Sequence, residues 1–369
     1  MGFNNYSNIS KNLTFGQLSY FQEPFAVTVL KLAFESAIAL LGIIGNILVC
    51  TVIAKCPNLK TPMYCYIFSL AIADLGVLLV NFPLAVLNRE DIFYWPFGET
   101  LCLYIYPVTD IFFGASIWSI TVIGIERYRN IVRNPNIRPQ KTSKCQVACV
   151  IVAVWLTSFL VIALPVYFIT KYDLKLGCFF LWSHRWQALT YHTFGVVFCY
   201  VLPLSIISYT YIEISSRIRA SSKFLRSMHG QDEVETENCL RIRNNRKAQA
   251  ILTPLVVLFA LTMCPINIFR LITTYYHSFF LWRYYWVSFT FCIVGVIINS
   301  ACNPIIYTLV STEFRNGVKS FCKSCQKRPS VHTYKTRLES QCRKLTGGRT
   351  SLPFETSCAT FETHHDTTV

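Results

Sequence analysis

The chain has 369 residues, of which 53% are hydrophobic and only 14% charged, and its mean hydropathy is +0.40. Soluble domains carry about 25% charged residues, so this chain lacks the polar surface a water-facing body needs, and its long uncharged stretches are expected to face lipid. The net charge of +15 raises nucleic acid as a partner, but the basic residues cluster where membrane topology requires them.

The first segment, residues 1–27, has no apolar run and so does not read as a cleavable signal peptide. It holds three glycosylation acceptors in quick succession, Asn5-Tyr6-Ser7, Asn8-Ile9-Ser10 and Asn12-Leu13-Thr14. Sequons grouped in this way mark an extracellular tail.

Seven apolar runs follow, near residues 28–54, 63–88, 101–126, 146–169, 191–214, 248–273 and 284–309. Each exceeds the roughly 20 residues a membrane helix needs. The runs are continuous rather than alternating, which excludes a β-barrel and leaves helices. Of the 34 basic residues, 26 fall in the connections of one side and beyond Arg315. This positive-inside bias puts the N-terminus outside and the C-terminus in the cytoplasm. Half of the sixteen cysteines lie inside the apolar runs, where cysteine behaves as a small hydrophobe.

The chain is therefore expected to be an all-α membrane protein. A seven-transmembrane helix bundle covers residues 28–310. A short cytoplasmic amphipathic helix covers 311–325, where STEFRNGVKSFC alternates apolar and basic residues, as in a helix lying on membrane lipid. A polar, Ser/Thr-rich tail, 326–369, is expected to be disordered. Cys322 and Cys325 could carry palmitate, with unmodified thiols as the alternative. Thr367-Thr368-Val369 fits a ligand for a PDZ domain, which captures a free carboxylate and adds a strand to its own sheet edge.

Polar residues inside the spans call for an explanation, because a carboxylate mid-membrane costs roughly 2.5–3.5 kcal/mol on insertion scales. Asp74 is in the second span, Asn46 in the first, Ser116 in the third, and Asn299 and Asn303 lie four apart in the seventh. Such oxygens can hold a hard cation such as sodium. A hydrogen-bond network that only ties helices together is the alternative. Pro203, Pro265 and Pro304 fall deep in spans and should kink them.

Taken together, Glu126-Arg127-Tyr128 closing the third span and Asn303-Pro304-Ile305-Ile306-Tyr307 closing the seventh carry a resemblance. With Gly45-Asn46, Leu70-Ala71-Ile72-Ala73-Asp74, Trp155, Pro203 and Tyr211, the chain resembles the rhodopsin-like G protein-coupled receptors over about residues 28–325. The resemblance implies a plasma-membrane receptor, not an enzyme, with heterotrimeric G protein and arrestin as partners. It implies that Arg127 pairs with Glu126 at rest and extends to the G protein when the sixth helix swings out, supported by Tyr211 and Tyr307. It assigns Asp74, Ser116, Asn299 and Asn303 to an allosteric sodium pocket, with no other cofactor. The ligand pocket is expected to include Thr109, Asp110, Phe113, Met263 and Arg270. Glu35, Asp110 and Arg270 fall in the outer halves of spans, where either a resting Asp110–Arg270 ion pair or a water-filled pocket awaiting a charged ligand would offset the cost of the charges.

Met263 stands where most of the family has tryptophan, so a flexible thioether replaces the usual aromatic switch. Asn245 stands where some members carry an acid that locks Arg127. Of the cysteines, only Cys102 and Cys178 lie on the outer side at or beyond the ends of spans. As in the family, they would tie the second outer loop to the third helix, with free thiols as the alternative.

For the ligand, Ile297 stands where a retinal pigment needs lysine. Thr109 stands where amine receptors carry aspartate, and Asp110 beside it is rotated by about 100°, towards another wall. The run from Cys178 and Trp182 through Tyr191, Phe194, Tyr200 and Leu202-Pro203-Leu204, with Trp95-Pro96-Phe97-Gly98, resembles neuropeptide receptors of the neuropeptide FF, galanin and RFamide kind. A peptide ligand is thus expected. An amine or lipid receptor of the same fold is the alternative, and a transporter the more distant one. Nucleic acid is not needed to explain any segment.

Overall fold

The computed structural model describes residues 24–56, 59–90, 95–133, 143–174, 177–227 and 232–326. The sequons at Asn5, Asn8 and Asn12 and the terminal Thr367, Thr368 and Val369 lie outside these residues. For Asn245, Cys322 and Cys325 the description extends to the backbone alone. Residues Met1–Lys319 form one compact unit and Ser320–Val369 a second, of which 320–326 are described.

Seven helices are long and apolar enough to cross a membrane: α1 Phe25–Lys55, α2 Pro62–Leu87, α3 Gly98–Arg133, α4 Lys144–Ile169, α5 Arg185–Ser221, α6 Thr253–Tyr275 and α7 Tyr285–Leu309. Helix α6 is the last part of a helix that runs Asp232–Tyr275. Even the shortest, at 23 residues, spans about 34 Å at 1.5 Å per residue, more than the roughly 30 Å hydrocarbon layer. Helices α3 and α5 extend well beyond their apolar runs, to 36 and 37 residues. An amphipathic helix, α8 Thr312–Gln326, follows.

The burial pattern is that of a protein dissolved in lipid. Large apolar side chains point outward: Leu41 is 68% exposed, Leu261 69% and Phe291 67%. Polar side chains point in: Glu35, Asn46, Asp74, Ser116, Asn267, Asn299 and Asn303 are all buried. An unpaired polar group facing lipid would be costly, so these groups turn to one another across the bundle.

Prolines shape the spans more than the three deep ones suggested. Phe82-Pro83, Tyr106-Pro107, Leu164-Pro165 and Leu202-Pro203 each follow a π-turn, at Val77–Asn81, Leu101–Ile105, Phe159–Ala163 and Val197–Val201. In each case the amide before the proline reaches a carbonyl five residues back. The proline ring would clash with the carbonyl four residues before it, and the wider turn relieves that clash. In α3 the turn Tyr106–Thr109 then tightens to 3-10 geometry, which resets the phase of everything after it.

One end of the bundle carries a two-stranded antiparallel hairpin, β1 Thr170–Asp173 and β2 Gly177–Phe180, with Tyr172 opposite Cys178. Cys178 is disulfide-bonded to Cys102 in the first turns of α3. Phe180 stacks on Tyr106 at 5.4 Å. Beside this anchor, Trp95 Nε1 donates to the Gly98 carbonyl at 2.9 Å, around a turn whose φ of +74° at Gly98 favours glycine. The Trp-Pro-Phe-Gly run is thus the N-terminal lock of α3.

At the opposite end, Ser311 caps α8 by accepting from the Phe314 amide at 3.1 Å, and Phe314 is buried. Between the ends, α6 and α7 touch closely at Gly295, where an added Cβ would sit 2.5 Å from the Thr262 carbonyl oxygen.

Candidate functional site

Towards the hairpin end, the helices enclose a cavity of about 340 Å³. Its floor and walls are mainly apolar, from Phe113 on α3 to Ile266 on α6 and Phe289 and Val296 on α7. Two opposite charges face it, Asp110 from α3 and Arg270 from α6. Among the described residues no direct ion pair joins them, although Arg270 is near enough to act on Asp110 electrostatically. Thr109 also lines the cavity, with its hydroxyl bonded back to the Tyr106 carbonyl at 2.7 Å. The tight turn before it brings Thr109 and Asp110 to the same cavity, where a uniform helix would aim them at different walls.

Aromatic side chains build the wall below the hairpin. Trp182 packs on Tyr191 at 5.3 Å, and Tyr191 on His192 at 5.3 Å. The Tyr191 hydroxyl donates to the Ile162 carbonyl at 2.9 Å, which fixes α5 to α4. Two lining groups were not foreseen from sequence. Asn81 Oδ1 and His192 Nδ1 are buried with no hydrogen-bond partner among the described residues. The signal for Asn81 was a lone amide in an apolar run. For His192 the only hint was its place between aromatic residues. Met263 is not among the lining residues; it is 1% exposed, and its carbonyl accepts from Asn267 Nδ2 at 2.8 Å.

Mid-bundle, Asp74 is fully buried. Ser116 Oγ donates to its Oδ1 at 2.7 Å, and Asn303 Nδ2 to its Oδ2 at 2.8 Å. This joins α2, α3 and α7 through one carboxylate. Asn299 is a step removed, accepting from the Thr262 hydroxyl of α6 at 3.4 Å. Asn46 gives its amide to the carbonyls of Gly42 at 2.9 Å and Ser300 at 3.1 Å. Asn303 Oδ1 and Asn46 Oδ1 are buried without a hydrogen-bond partner among the described residues. The donor set is oxygen throughout, suited to a hard cation and not to zinc or copper. Among the described residues no group of three His, Cys, Asp or Glu side chains is placed to hold a metal.

At the α8 end, the structure partners Glu126 differently from the sequence expectation. Its carboxylate receives Arg129 at 3.5 Å and the Asn130 amide at 3.3 Å, while an Arg127 Nη2 is directed at Met63 Sδ. Arg129 and Asn130 stand three and four residues beyond Glu126 and so share its face by ordinary helical spacing, where the span passes into a π-turn over Arg129–Arg133. Tyr128 packs on Tyr209 at 5.9 Å. Tyr211 accepts from the Thr253 hydroxyl at 3.5 Å, linking α5 to α6. Tyr307, three residues beyond Pro304, is 2% exposed, and its hydroxyl has no hydrogen-bond partner among the described residues.

Thus a cavity, a buried carboxylate and a charged arginine cluster succeed one another along the bundle axis. Residues 45–307 match the family described as 7 transmembrane receptor (rhodopsin family). Among similar proteins, the neuropeptide Y receptor type 6 of Mus musculus is 26% identical over 339 residues, covering 87% of this chain and 88% of that protein. The neuromedin-K receptor of Cavia porcellus is 27% identical, covering 85% and 68%. The thyrotropin-releasing hormone receptor of Mus musculus is 28% identical, covering 79% and 78%. With seven membrane-crossing helices and a family match over most of its length, this chain belongs to the rhodopsin family of seven-transmembrane receptors.

Proposed function

We propose that the chain is a plasma-membrane receptor for a peptide and signals through a heterotrimeric G protein. The reading rests on one observation above others: Asp110 and Arg270 face a common, largely apolar cavity without pairing directly. Two charges held in that way suit a ligand that brings its own charges on an apolar body. A peptide does so with a basic side chain for Asp110 and an acidic side chain or free carboxylate for Arg270. Similarity to receptors named for neuropeptide Y, neuromedin-K and thyrotropin-releasing hormone supports the peptide over an amine or a lipid.

In this reading the hairpin end is extracellular, with the N-terminal tail glycosylated at Asn5, Asn8 and Asn12. The α8 end faces the cytosol and meets G protein, arrestin and, through Thr367-Thr368-Val369, a PDZ domain. Asp74, Ser116 and Asn303, with Asn299 behind them, would hold sodium in the resting bundle. The ion would supply a positive charge to a carboxylate otherwise buried on hydrogen bonds alone. Arg127, Tyr211 and Tyr307 would reorganise when α6 moves. The test is a G protein activation screen of the receptor in transfected cells against amidated peptides, monoamines and lipids. Activation by a peptide and by neither other class is the expected result. Activation by a monoamine alone would overturn the ligand assignment.

A further inference from the structure

Helix α4 begins with Lys144-Cys145-Gln146-Val147-Ala148-Cys149. Its start is fixed by a reciprocal cap: Ser143 Oγ accepts from the Gln146 amide at 3.1 Å, and Gln146 Oε1 accepts from the Ser143 amide at 3.1 Å. Cys149 therefore sits about 7.5 Å along the axis from Lys144, and Cys145 nearer still. Both thiols are at the membrane edge rather than in its depth. Among the free cysteines whose side chains are described, these two alone are exposed; Cys50, Cys56, Cys65, Cys199, Cys264, Cys292 and Cys302 are half-buried or buried.

The two thiols are also the head of a larger feature. Four residues apart, they share one face of α4. The same face continues through Val152, 61% exposed, Leu156, 53%, and Leu160, 48%. The opposite face, with Val147, Val154 and Ser158, packs into the bundle. From Cys149 to Leu160 the outward stripe runs about 16 Å, apolar all the way and directed into the bilayer.

We propose that Cys145 and Cys149 are S-acylation sites for long-chain fatty acyl groups, whose chains lie along the Val152–Leu156–Leu160 stripe. This rests on the reading that the α8 end faces the cytosol, where acyl-coenzyme A thioesters are found. In the step, a cysteine thiolate attacks the thioester carbonyl. The new sulfur–carbon bond forms as the bond to coenzyme A sulfur breaks, and coenzyme A leaves as a thiolate that takes up the proton the cysteine released. No oxidant is consumed. Two acylated sulfurs would pin the start of α4 to the interface, since a second chain converts marginal anchoring into stable anchoring.

The experiment uses the full chain in cultured cells with Cys239, Cys322, Cys325, Cys342 and Cys358 changed to serine. Free thiols are blocked, thioesters are cleaved with neutral hydroxylamine, and the released thiols are tagged with a polyethylene glycol maleimide that shifts the band on a gel. A shift of two tags is expected, falling to one in added C145S or C149S and to none in the double variant. No shift in the starting background, or a shift that the double variant keeps, overturns the proposal. The single variants cover the case in which the double variant fails to reach the membrane. A membrane-impermeant maleimide applied to intact cells separates the two readings. If it tags Cys145 or Cys149 from outside, the orientation is wrong; if it cannot and no thioester is found, the acylation proposal alone falls.

Discussion

Replacing Asp74 separates its hydrogen-bonding role from its charge. Asp74→Ala removes the acceptor for two buried donors, the Ser116 hydroxyl at 2.7 Å and the Asn303 amide at 2.8 Å. A buried donor left without a partner costs about 1–3 kcal/mol, so the variant should be roughly 2–6 kcal/mol less stable than a replacement that is equally uncharged but keeps those bonds. Asp74→Asn should behave differently. Its new amide would confront that of Asn303, but Asn303 Oδ1 is unpartnered among the described residues, so a half-turn of the Asn303 amide restores the bond. The same change removes a buried charge, which costs roughly 2.5–3.5 kcal/mol on insertion scales. Asp74→Asn should therefore be at least as stable as wild type. Thermal unfolding of the detergent-solubilised receptor, followed by the reactivity of the buried Cys199 and Cys292 thiols, measures both. Equal stability of the two variants would refute the reasoning. If the site also holds sodium, sodium should weaken agonist binding and Asp74→Asn should abolish that effect. An identical response to a bulky organic cation would mean charge screening instead.

Gly295→Val would thrust a branched side chain against the Thr262 carbonyl, already 2.5 Å from a bare Cβ. It should sharply reduce surface delivery and melting temperature, and wild-type values for both would deny the close approach of α6 and α7. Arg127→Ala should abolish nucleotide exchange at unchanged surface level; full signalling by that variant would remove Arg127 from the switch. Arg129→Ala takes the cation from the buried Glu126 carboxylate, which keeps the Asn130 amide, so stability should fall by about 1–3 kcal/mol. By freeing the Glu126 carboxylate for Arg127, however, it should lower basal exchange, and a rise would show that Arg129 restrains the resting state.

The fold was legible because lipid makes the sequence signal strong. Seven long apolar runs and a one-sided distribution of lysine and arginine leave few architectures open. Buried groups such as Asp74 and Asn303 stood out because polar residues are rare in such runs, and their meeting follows from helix positions alone. What sequence hid was local phase. The π-turn and 3-10 turn ahead of Asp110 alter which way that residue faces, and uniform helical counting sent it to a separate wall from Thr109. The partners of Glu126 were missed for another reason: Arg129 and Asn130 lie three and four residues on, on the same helical face, whereas the expected partner was the adjacent Arg127. Met263 could not be separated from the cavity lining by sequence, because neighbouring positions on α6 differ only in depth. The hairpin of Thr170–Asp173 and Gly177–Phe180 was also hidden: its strands are four residues each, too short for an alternating pattern to register.

The central claim is that Asp110 and Arg270 read the charges of a peptide, and one double-mutant cycle tests it most directly. Affinity is measured for the activating peptide and for an analogue with its basic residue made neutral, each on wild type and on Asp110→Asn. The account predicts that Asp110→Asn weakens the native peptide by about 1.5–3 kcal/mol, roughly tenfold to more than a hundredfold, and leaves the analogue almost unchanged. Equal losses for both peptides would show that Asp110 only supports the bundle, and the proposed recognition would be wrong.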